Sequence, residues 1–305
     1  MNDSHLQSCS NSSVLLVGHG YVGSALRSAL DRAGYSPVVC DQNPLAVEGM
    51  ENAVCCRYQE LGVDDLAPFG VIIWMAGHSS VLQATQDPDG AIANNCFDLL
   101  ALARRKRAET RLIYASTASL YSVSSGSTPT PPPLLDETET RLNPENAYDA
   151  SKMAFDALAK GYAEGLTGLR LGTVSGYGSC LRAELVFNAM NISALEDGSV
   201  HLANPFAFRS LLFLDDLERC VLALLERKEP LPSIVNVASL NVRLGQLAEQ
   251  VAGHYGVPVI ERTADAPTYS FQMNCDLAER LCGPGRNANL ATRCEEFAAA
   301  VVARA

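Results

Sequence analysis

The sequence predicts an α/β fold, in which a doubly wound (Rossmann) parallel sheet is joined to a smaller C-terminal substrate lobe. Three observations predict this fold. Short apolar runs alternate with helical patterns, a glycine-rich turn joins the first run to the first helix, and a second run follows within about thirty residues. Strands and helices that alternate in this way form a parallel sheet with helices on both faces.

The individual elements follow from local patterns. The first strand is predicted at 14–17, where every residue is apolar, as in a strand buried on both faces. The next helix has Val22, Leu26 and Leu30 on one face and ends at Gly34. Further strands are predicted at 38–40, 71–75, 111–115, 169–171 and 234–237, helices at 89–105 and 143–163, and a proline-rich loop at 126–136.

The length of 305 residues fits one large α/β domain with a subsidiary lobe. The regular alternation breaks up after Gly172. We therefore expect a dinucleotide-binding domain over residues 1–172, with a return segment at about 213–237. The substrate-binding lobe is expected over 173–212 and 238–305.

Composition excludes several classes of partner. A formal net charge of −11 disfavours binding to nucleic acid or to an anionic membrane surface. The ten cysteines are scattered without Cys-x-x-Cys or zinc-ligand spacing, so we expect reduced thiols and no metal site. Residues 1–13 lack the apolar stretch of a signal peptide, and no apolar run approaches the length of a membrane span. These features predict a cytoplasmic protein.

The turn after the first strand carries the pattern Gly18-x-Gly20-x-x-Gly23. Between a buried strand and a helix, such glycines permit a tight turn, approach of a pyrophosphate to the backbone, and close helix–strand packing. Tyr21 and Val22 open the helix, whose N-terminus favours phosphate groups. The pattern predicts a dinucleotide-binding site.

Asp41 follows Gly23 by 18 residues, at the end of the second predicted strand. A carboxylate there can accept hydrogen bonds from both ribose hydroxyls of NAD and would repel the extra phosphate of NADP. No arginine directly follows it. NAD is therefore favoured as the cofactor over NADP.

Tyr148 and Lys152 are four residues apart and share one face of a predicted helix. A free phenol is a weak base at neutral pH, and a nearby ammonium lowers its pKa, so this spacing suits general acid–base catalysis. We expect the opposite, buried face to be formed by small and apolar residues, namely Ala150, Ala154, Ala157, Leu158 and Gly161.

With these motifs the chain resembles the extended or atypical-extended short-chain dehydrogenase/reductases, the group of NAD-dependent nucleotide-sugar epimerases and dehydratases. The resemblance covers about Val14 to Leu225. On the cofactor side it implies contacts from Ala76, Gly77 and His78 after the 71–75 strand, and from Asn95, in addition to Tyr148 and Lys152. It further implies that Thr117 supplies a third catalytic hydroxyl.

On the substrate side, the resemblance assigns Arg209 to the substrate diphosphate and places Thr173 where epimerases commonly have Asn. His78, Thr117 and Asn188 are further candidate substrate contacts. The family's dehydratases carry an Asp-Glu pair where this chain has Ala118 and Ser119, which disfavours elimination.

Three functions remain open. The first is an epimerase or oxidoreductase acting on a hydroxyl or keto carbon of a nucleotide sugar, and a homodimer is expected. The second is a ketoreductase of a non-nucleotide small molecule. The third, a non-catalytic dinucleotide sensor, is disfavoured because such proteins typically lack the Tyr-Lys pair.

Overall fold

The structure, a computed structural model, describes residues 13–123, 130–162, 165–263, 268–285 and 289–303. Residues 1–12, on which the expected absence of a signal peptide rests, lie outside these ranges. So do residues 126–129 of the predicted proline-rich loop and Ala163 at the end of the predicted helix. The chain forms two compact units. Unit 1 comprises Met1–Ser116, Pro144–Leu169 and Leu224–Ile234, and unit 2 comprises Thr117–Asn143, Arg170–Ala223 and Val235–Ala305.

Strands are numbered in chain order through the described residues: β1 (Val14–Val17), β2 (Val38–Asp41), β3 (Ala53–Cys55), β4 (Val71–Trp74), β5 (Arg111–Thr117), β6 (Leu134–Leu135), β7 (Leu166–Leu171), β8 (Thr173–Ser175), β9 (Val200–Leu202), β10 (Phe208–Phe213), β11 (Ile234–Val237), β12 (Leu240–Arg243), β13 (Val259–Glu261) and β14 (Gln272–Met273).

The helices are α1 (Tyr21–Arg32), α2 (Pro44–Val47), α3 (Val63–Leu66), α4 (Val81–Gln86), α5 (Pro88–Ile92), α6 (Asp98–Arg105), α7 (Ala147–Tyr162), α8 (Val186–Glu196), α9 (Leu214–Glu226), α10 (Leu244–Tyr255), α11 (Asp276–Cys282) and α12 (Leu290–Val302). A π-helical segment, Ala93–Phe97, connects α5 to α6. The helix predicted at 89–105 is therefore present but interrupted.

The largest sheet has seven strands in the order β11-β7-β5-β4-β1-β2-β3. β1 pairs in parallel with β2 on one side and with β4 on the other, where Val17 lies opposite Trp74. The chain order thus reverses between β1 and β4, and in doubly wound sheets ligands bind beyond the carboxyl ends of strands at such a point. The predicted fold class is confirmed.

The core of unit 1 is formed by the apolar strands and the helices packed on them. Leu15 and Val17 of β1, Ile72 and Trp74 of β4, and Leu112 of β5 are each at most 2% exposed. Such continuously apolar strands are expected where a parallel sheet is covered on both faces. This rigid sheet positions the loops that follow β1 and β4.

In the described residues, unit 2 contains three small sheets, with strand orders β12-β10-β8, β13-β9 and β14-β6. Its main core combines α8, α10 and α12 with β10, including the buried Phe187, Phe213 and Phe297. Residues 117–143, expected in the dinucleotide-binding domain, belong to this unit. They do so because β6 pairs with β14, and because Ala118 and Tyr121 pack against Phe271 and Met273.

The return segment expected at about 213–237 is also divided between the units, and only Leu224–Ile234 belongs to unit 1. None of the helices in the described part of the chain is both long and apolar enough to span a membrane.

Candidate active site

The turn between β1 and α1 has glycine at the positions where backbone segments approach most closely. Gly18 has φ of +95°, and a Cβ there would lie 2.6 Å from the backbone nitrogen of Ala76. A Cβ on Gly23 would collide with the carbonyl oxygen of Gly18, whereas one on Gly20 would meet no atom within 4 Å. Gly18 and Gly23 are thus required by the turn itself, and Gly20 leaves open space at the helix N-terminus. Tyr21 and Val22, in the first turn of α1, are buried and half-buried.

Asp41 at the end of β2 is held against this turn. Its Oδ2 accepts a hydrogen bond from the backbone N–H of His19 at 2.6 Å, and its Oδ1 accepts from that of Asn43 at 2.8 Å. These bonds to fixed backbone donors orient the carboxylate at the carboxyl edge of the sheet. Asp41 therefore lies next to the glycine turn, as the sequence predicts.

The loop after β4 approaches the same turn from the other side. Gly77 has φ of +114°, a conformation that favours glycine, and a Cβ there would overlap Oδ1 of Asn95. The carbonyl of Ala76 accepts a hydrogen bond from Nε1 of the buried Trp74 at 3.1 Å. The backbone of this loop is thus fixed between Gly18 and the π-helical segment.

His78 belongs to a hydrogen-bond network that the sequence analysis missed. The hydroxyl of Tyr58 donates to Oδ1 of Asn94 at 2.9 Å, so the amide of Asn94 donates from Nδ2 to Nδ1 of His78 at 3.1 Å. Nε2 of His78 then donates to Oδ2 of Asp87 at 3.2 Å. The imidazole is oriented through both nitrogens, and its side chain is only 15% exposed.

Asn95 connects this loop to α7. It is 1% exposed and lies in the π-helical segment, and its Nδ2 donates to the carbonyl of His78 at 3.1 Å and to Oγ of Ser151 at 2.9 Å. The Ser151 hydroxyl in turn donates to the carbonyl of Tyr148 at 2.7 Å. Within the described residues, Oδ1 of Asn95 is buried without a hydrogen-bond partner. The predicted Asn95 position is therefore physically linked to the predicted catalytic helix.

Tyr148 lies in the first turn of α7 and is half-buried, with Lys152 one turn later. Lys152 is 6% exposed, and its Nζ donates to the carbonyl of Ala115 on β5 at 2.9 Å. Burial lowers the pKa of the Lys152 ammonium to about 8, against an opposing effect of the Asp156 carboxylate. A nearby ammonium favours the phenolate form of a phenol.

The predicted faces of α7 are wrong. Ala150, Ala157, Leu158 and Gly161 are exposed and Ala154 is half-buried, whereas Asp149, Ser151, Lys152, Phe155 and Asp156 are buried. Ser151, Lys152 and Asp156 can be buried because β5 and the π-helical segment supply hydrogen-bond partners for them. These polar residues recur at helical spacing on one face of α7, a pattern that hydrophobicity alone does not reveal.

The remaining candidate residues belong to unit 2. Thr117, 7% exposed, begins a short 3₁₀ turn, and its Oγ1 lies 2.8 Å from Oγ of Ser119. Thr173 on β8 is half-buried and lies opposite Leu211 of β10. Asn188 is completely buried, and its amide bonds the backbone of Gly176 and Arg182 at 2.9 and 3.0 Å. These two bonds fix the loop before α8.

Arg209 on β10 is 9% exposed, and its guanidinium lies among aromatic rings. Its Nη2 donates to Oγ1 of Thr268 at 2.7 Å, and its Cζ lies 5.8 Å from the ring centre of Tyr269 and 5.6 Å from that of Phe271.

The contacts described above join the cofactor-side candidates of unit 1 into one network. The substrate roles of Thr117, Thr173, Asn188 and Arg209 stay predictions.

Comparison with known proteins defines the class to which this fold and site belong. The model of the NAD dependent epimerase/dehydratase family matches residues 14–238. The matched region covers most of the chain, and the chain belongs to this family. A search of curated proteins finds no match.

Solved structures with the same fold include MoeE5 in complex with UDP-glucuronic acid and NAD, with a TM-score of 0.81, 19% identity, and 96% of this chain and 100% of that chain covered. UDP-glucuronic acid 4-epimerase from Bacillus cereus, also solved with UDP-glucuronic acid and NAD, has a TM-score of 0.80 at 17% identity, with coverages of 96% and 100%. TunA, an NAD dependent NDP-hexosamine 5,6-dehydratase involved in tunicamycin biosynthesis, has a TM-score of 0.80 at 19% identity, with coverages of 96% and 99%.

The residues of unit 1 fit the dinucleotide that the family name implies. The side-chain-free turn of Gly18 and Gly23 and the open space above Gly20 suit the approach of a pyrophosphate to the start of α1. The carboxylate of Asp41 lies beside this turn, where a ribose would follow the pyrophosphate.

Proposed function

We propose that the protein is an NAD-dependent epimerase of a nucleotide sugar, which acts at one hydroxyl-bearing carbon of the sugar. One observation supports this proposal most strongly. Tyr148 and Lys152 lie one turn apart on α7, and the buried Lys152 ammonium is fixed on the carbonyl of Ala115. The residues that would surround the nicotinamide end of the cofactor, Asn95 and His78, are linked to the same helix through Ser151.

The cofactor would be held by residues of unit 1. Gly18, Gly20 and Gly23 would receive the pyrophosphate, Asp41 the adenosine ribose, and the backbone of Ala76–His78 the far end of the molecule. Tyr21 and Val22 would contribute through the N-terminal turn of α1. When bound, NAD accepts and returns a hydride at the reacting carbon.

The protein's own groups move the proton. Tyr148, as phenolate, removes the proton of the reacting hydroxyl, and it returns a proton to the carbonyl oxygen when the ketone is reduced again. The positive charge of the Lys152 ammonium, one turn away, would favour the phenolate form of this base. Thr117 keeps its expected role as the third hydroxyl, on the basis of the family resemblance.

The two residues after Thr117 favour epimerisation over elimination. Elimination from a keto sugar requires a group that removes a carbon-bound proton, which carboxylates do well. Ala118 has no ionisable group, and the Ser119 hydroxyl is 2.8 Å from Oγ1 of Thr117. A keto intermediate formed here is therefore more readily reduced again than dehydrated.

Incubation with NAD and each of the UDP-, GDP-, dTDP- and CDP-sugars tests this function. Proton NMR should show inverted configuration at one sugar carbon, with no net gain of NADH absorbance. If an uncharged ketone is instead reduced with NADH and no nucleoside diphosphate binds, the protein is a simple ketoreductase. Binding of NAD without turnover of either class would indicate a sensor.

Substitution of Arg209 tests the expected diphosphate contact. Loss of a charge-assisted hydrogen bond typically costs about 1.5–3 kcal/mol, so Arg209→Ala should weaken nucleotide-sugar binding roughly tenfold to a hundredfold. Binding of the bare nucleoside diphosphate should weaken equally, and NAD affinity should stay unchanged. Equal losses for NAD and substrate would contradict a specific role. Thr173 and Asn188 remain weaker candidates for substrate contacts.

A homodimer is part of the proposal. Leu82 on α4, Phe97 before α6 and Leu158 on α7 are 67%, 59% and 38% exposed, and α7 packs against α4 and the π-helical segment. Apolar side chains exposed on neighbouring helices favour association. Leu158→Glu should therefore yield monomers in sedimentation experiments, whereas Leu45→Glu, at a residue 77% exposed on α2, should leave the mass unchanged.

A cytoplasmic location also belongs to the proposal. No disulfide joins the cysteines of the described ranges, which fits a reducing compartment. The chain's charge of −11 supports the expectation that nucleic acids and membranes are not partners.

A further inference from the structure

Asp156 is a buried carboxylate that the proposed mechanism does not use. It lies on α7, one turn after Lys152, and is 1% exposed. The hydroxyl of Tyr114 donates to its Oδ1 at 3.0 Å, and the hydroxyl of Ser116 donates to its Oδ2 at 2.9 Å. A carboxylate so completely removed from water is costly unless its hydrogen bonds or charge are compensated.

The two donors flank the residue that holds Lys152. Tyr114 and Ser116 are alternate residues of β5, so their side chains point to the same face of the sheet. Ala115, between them, accepts the hydrogen bond from Nζ of Lys152 at 2.9 Å. The bonds of Asp156 therefore fix α7 in the register that places the ammonium on the carbonyl of Ala115.

The packing around this contact supports one register. Phe155, 1% exposed, meets the ring of Tyr114 edge to face, with ring centres 4.7 Å apart. A shift of α7 along β5 would break this ring contact together with both hydrogen bonds of Asp156. The three interactions reinforce one another in holding the helix in place.

We propose that Asp156 is a positioning residue for Lys152: its carboxylate fixes α7 on β5 and supplies the negative charge that keeps the buried ammonium protonated. The inference rests on the proposed function, in which Lys152 assists Tyr148. Without the carboxylate, burial would act on the ammonium unopposed. The hydroxyls of Tyr114 and Ser116 are neutral donors and do not replace its charge.

Other ionisable groups near Lys152 do not provide this charge. On α7, Asp149 faces the helix start, where it accepts from Nδ2 of Asn146 at 2.9 Å and from the backbone of Glu145 at 3.2 Å. The segments that pack on α7 are α4, α5 and the π-helical segment, and Asp87, between α4 and α5, bonds His78 and the backbone of Gly90. Asp89 of α5 is exposed, Tyr114 donates its hydroxyl to Asp156, and Tyr148 becomes negative only as the phenolate that Lys152 itself is proposed to stabilise. The carboxylate that raises the pKa of Lys152 is that of Asp156.

The titration of Lys152 tests the inference directly. The chain has four lysines, at positions 106, 152, 160 and 228, so ¹³C NMR of protein labelled at lysine Cε gives few signals, and Lys152→Met identifies the relevant one. In Asp156→Asn, which keeps the shape but removes the charge, the Lys152 midpoint should fall by about one pH unit or more. Asp156→Glu should stay near the wild-type midpoint, and Asp149→Asn is the matched control that should also leave it unchanged.

An unchanged midpoint in Asp156→Asn would overturn the inference. If that variant does not fold, Asp156→Ser supplies a second neutral side chain, and a shifted midpoint in Asp156→Glu would then contradict the role of the charge. The kinetic counterpart is the alkaline limb of kcat, which should move to lower pH in Asp156→Asn, whereas loss of structure alone would lower kcat at every pH. The NMR readout needs no substrate, so it can fail or succeed separately from the epimerase proposal.

Discussion

The glycine turn (residues 18–23) and the Asp156 network (Asp156 with Tyr114, Ser116 and the Lys152–Ala115 contact) belong to the same unit but are built in opposite ways. In the turn, Gly18 and Gly23 lack side chains where backbone segments approach closely. In the network, charged and polar side chains are buried and satisfy one another. The glycine turn depends on the space between backbone segments, and the Asp156 network depends on charge. Substitutions in the two regions should therefore change different measured quantities.

The largest expected effect concerns the helix that carries the network. Tyr148→Phe removes the ionisable oxygen and leaves the glycine turn intact, so kcat should fall by about 10²–10⁴ while NAD affinity stays nearly constant. Steady-state rates with the substrate found by NMR, together with NAD titration, measure both. Retention of more than about a tenth of the activity would contradict the assignment of Tyr148.

The pH dependence of stability should separate the network from the rest of the fold. Burial lowers the pKa of Lys152 to about 8, below its ordinary value of 10.5, so between these pH values the unfolded chain binds more protons than the folded protein. The free energy of unfolding must then rise with pH across this window. The unfolding free energy of the wild type minus that of Lys152→Met, both measured by urea unfolding, should increase by about 3 kcal/mol from pH 8 to pH 10.5. If the unfolding free energies of the two proteins run parallel with pH, burial does not lower the pKa of Lys152.

Two alanine substitutions should show that the turn depends on space. Gly23→Ala places a methyl group against the carbonyl of Gly18 and should cost about 1–3 kcal/mol of unfolding free energy. The methyl group of Gly20→Ala has no protein atom within 4 Å, so the unfolding free energy should stay nearly unchanged. The same methyl group should weaken NAD binding, because it obstructs the approach of the pyrophosphate. Thermal unfolding and NAD titration of both variants test this difference. Equal loss of stability would refute it.

The smallest effect is expected at Asp41. Asp41→Ala should narrow the preference for NAD over NADP, because the carboxylate no longer repels the additional phosphate. Calorimetry with both cofactors measures the ratio of affinities. Asn43→Ala, which removes the cap of α2 but leaves the carboxylate, is the control. Tighter binding of NADP to the wild type would show that Asp41 does not select the ribose.

The sequence predicts the glycine turn well because its constraints are local. Gly18, Gly23 and Asp41 occur at fixed spacing around a strand and a helix, and such spacing is visible in one dimension. The faces of α7 were not predictable from hydrophobicity, because burial of Lys152 and Asp156 depends on hydrogen-bond partners from β5 that are distant in sequence. The sequence likewise carries no local sign that residues 117–143 cluster with unit 2, because β6 pairs with β14, far along the chain.

The π-helical segment Ala93–Phe97 makes chain length, and not only residue identity, important for the site. A π-turn contains one residue more than the α-turn it replaces. Deleting a single residue there would turn the segment into regular α-helix that joins α5 to α6, and would draw the residues of the bulge back into the helix. Asn95 would then lose both Ser151 and His78. A relative with a regular helix here should therefore show a one-residue gap in alignment and hold its catalytic helix by other contacts.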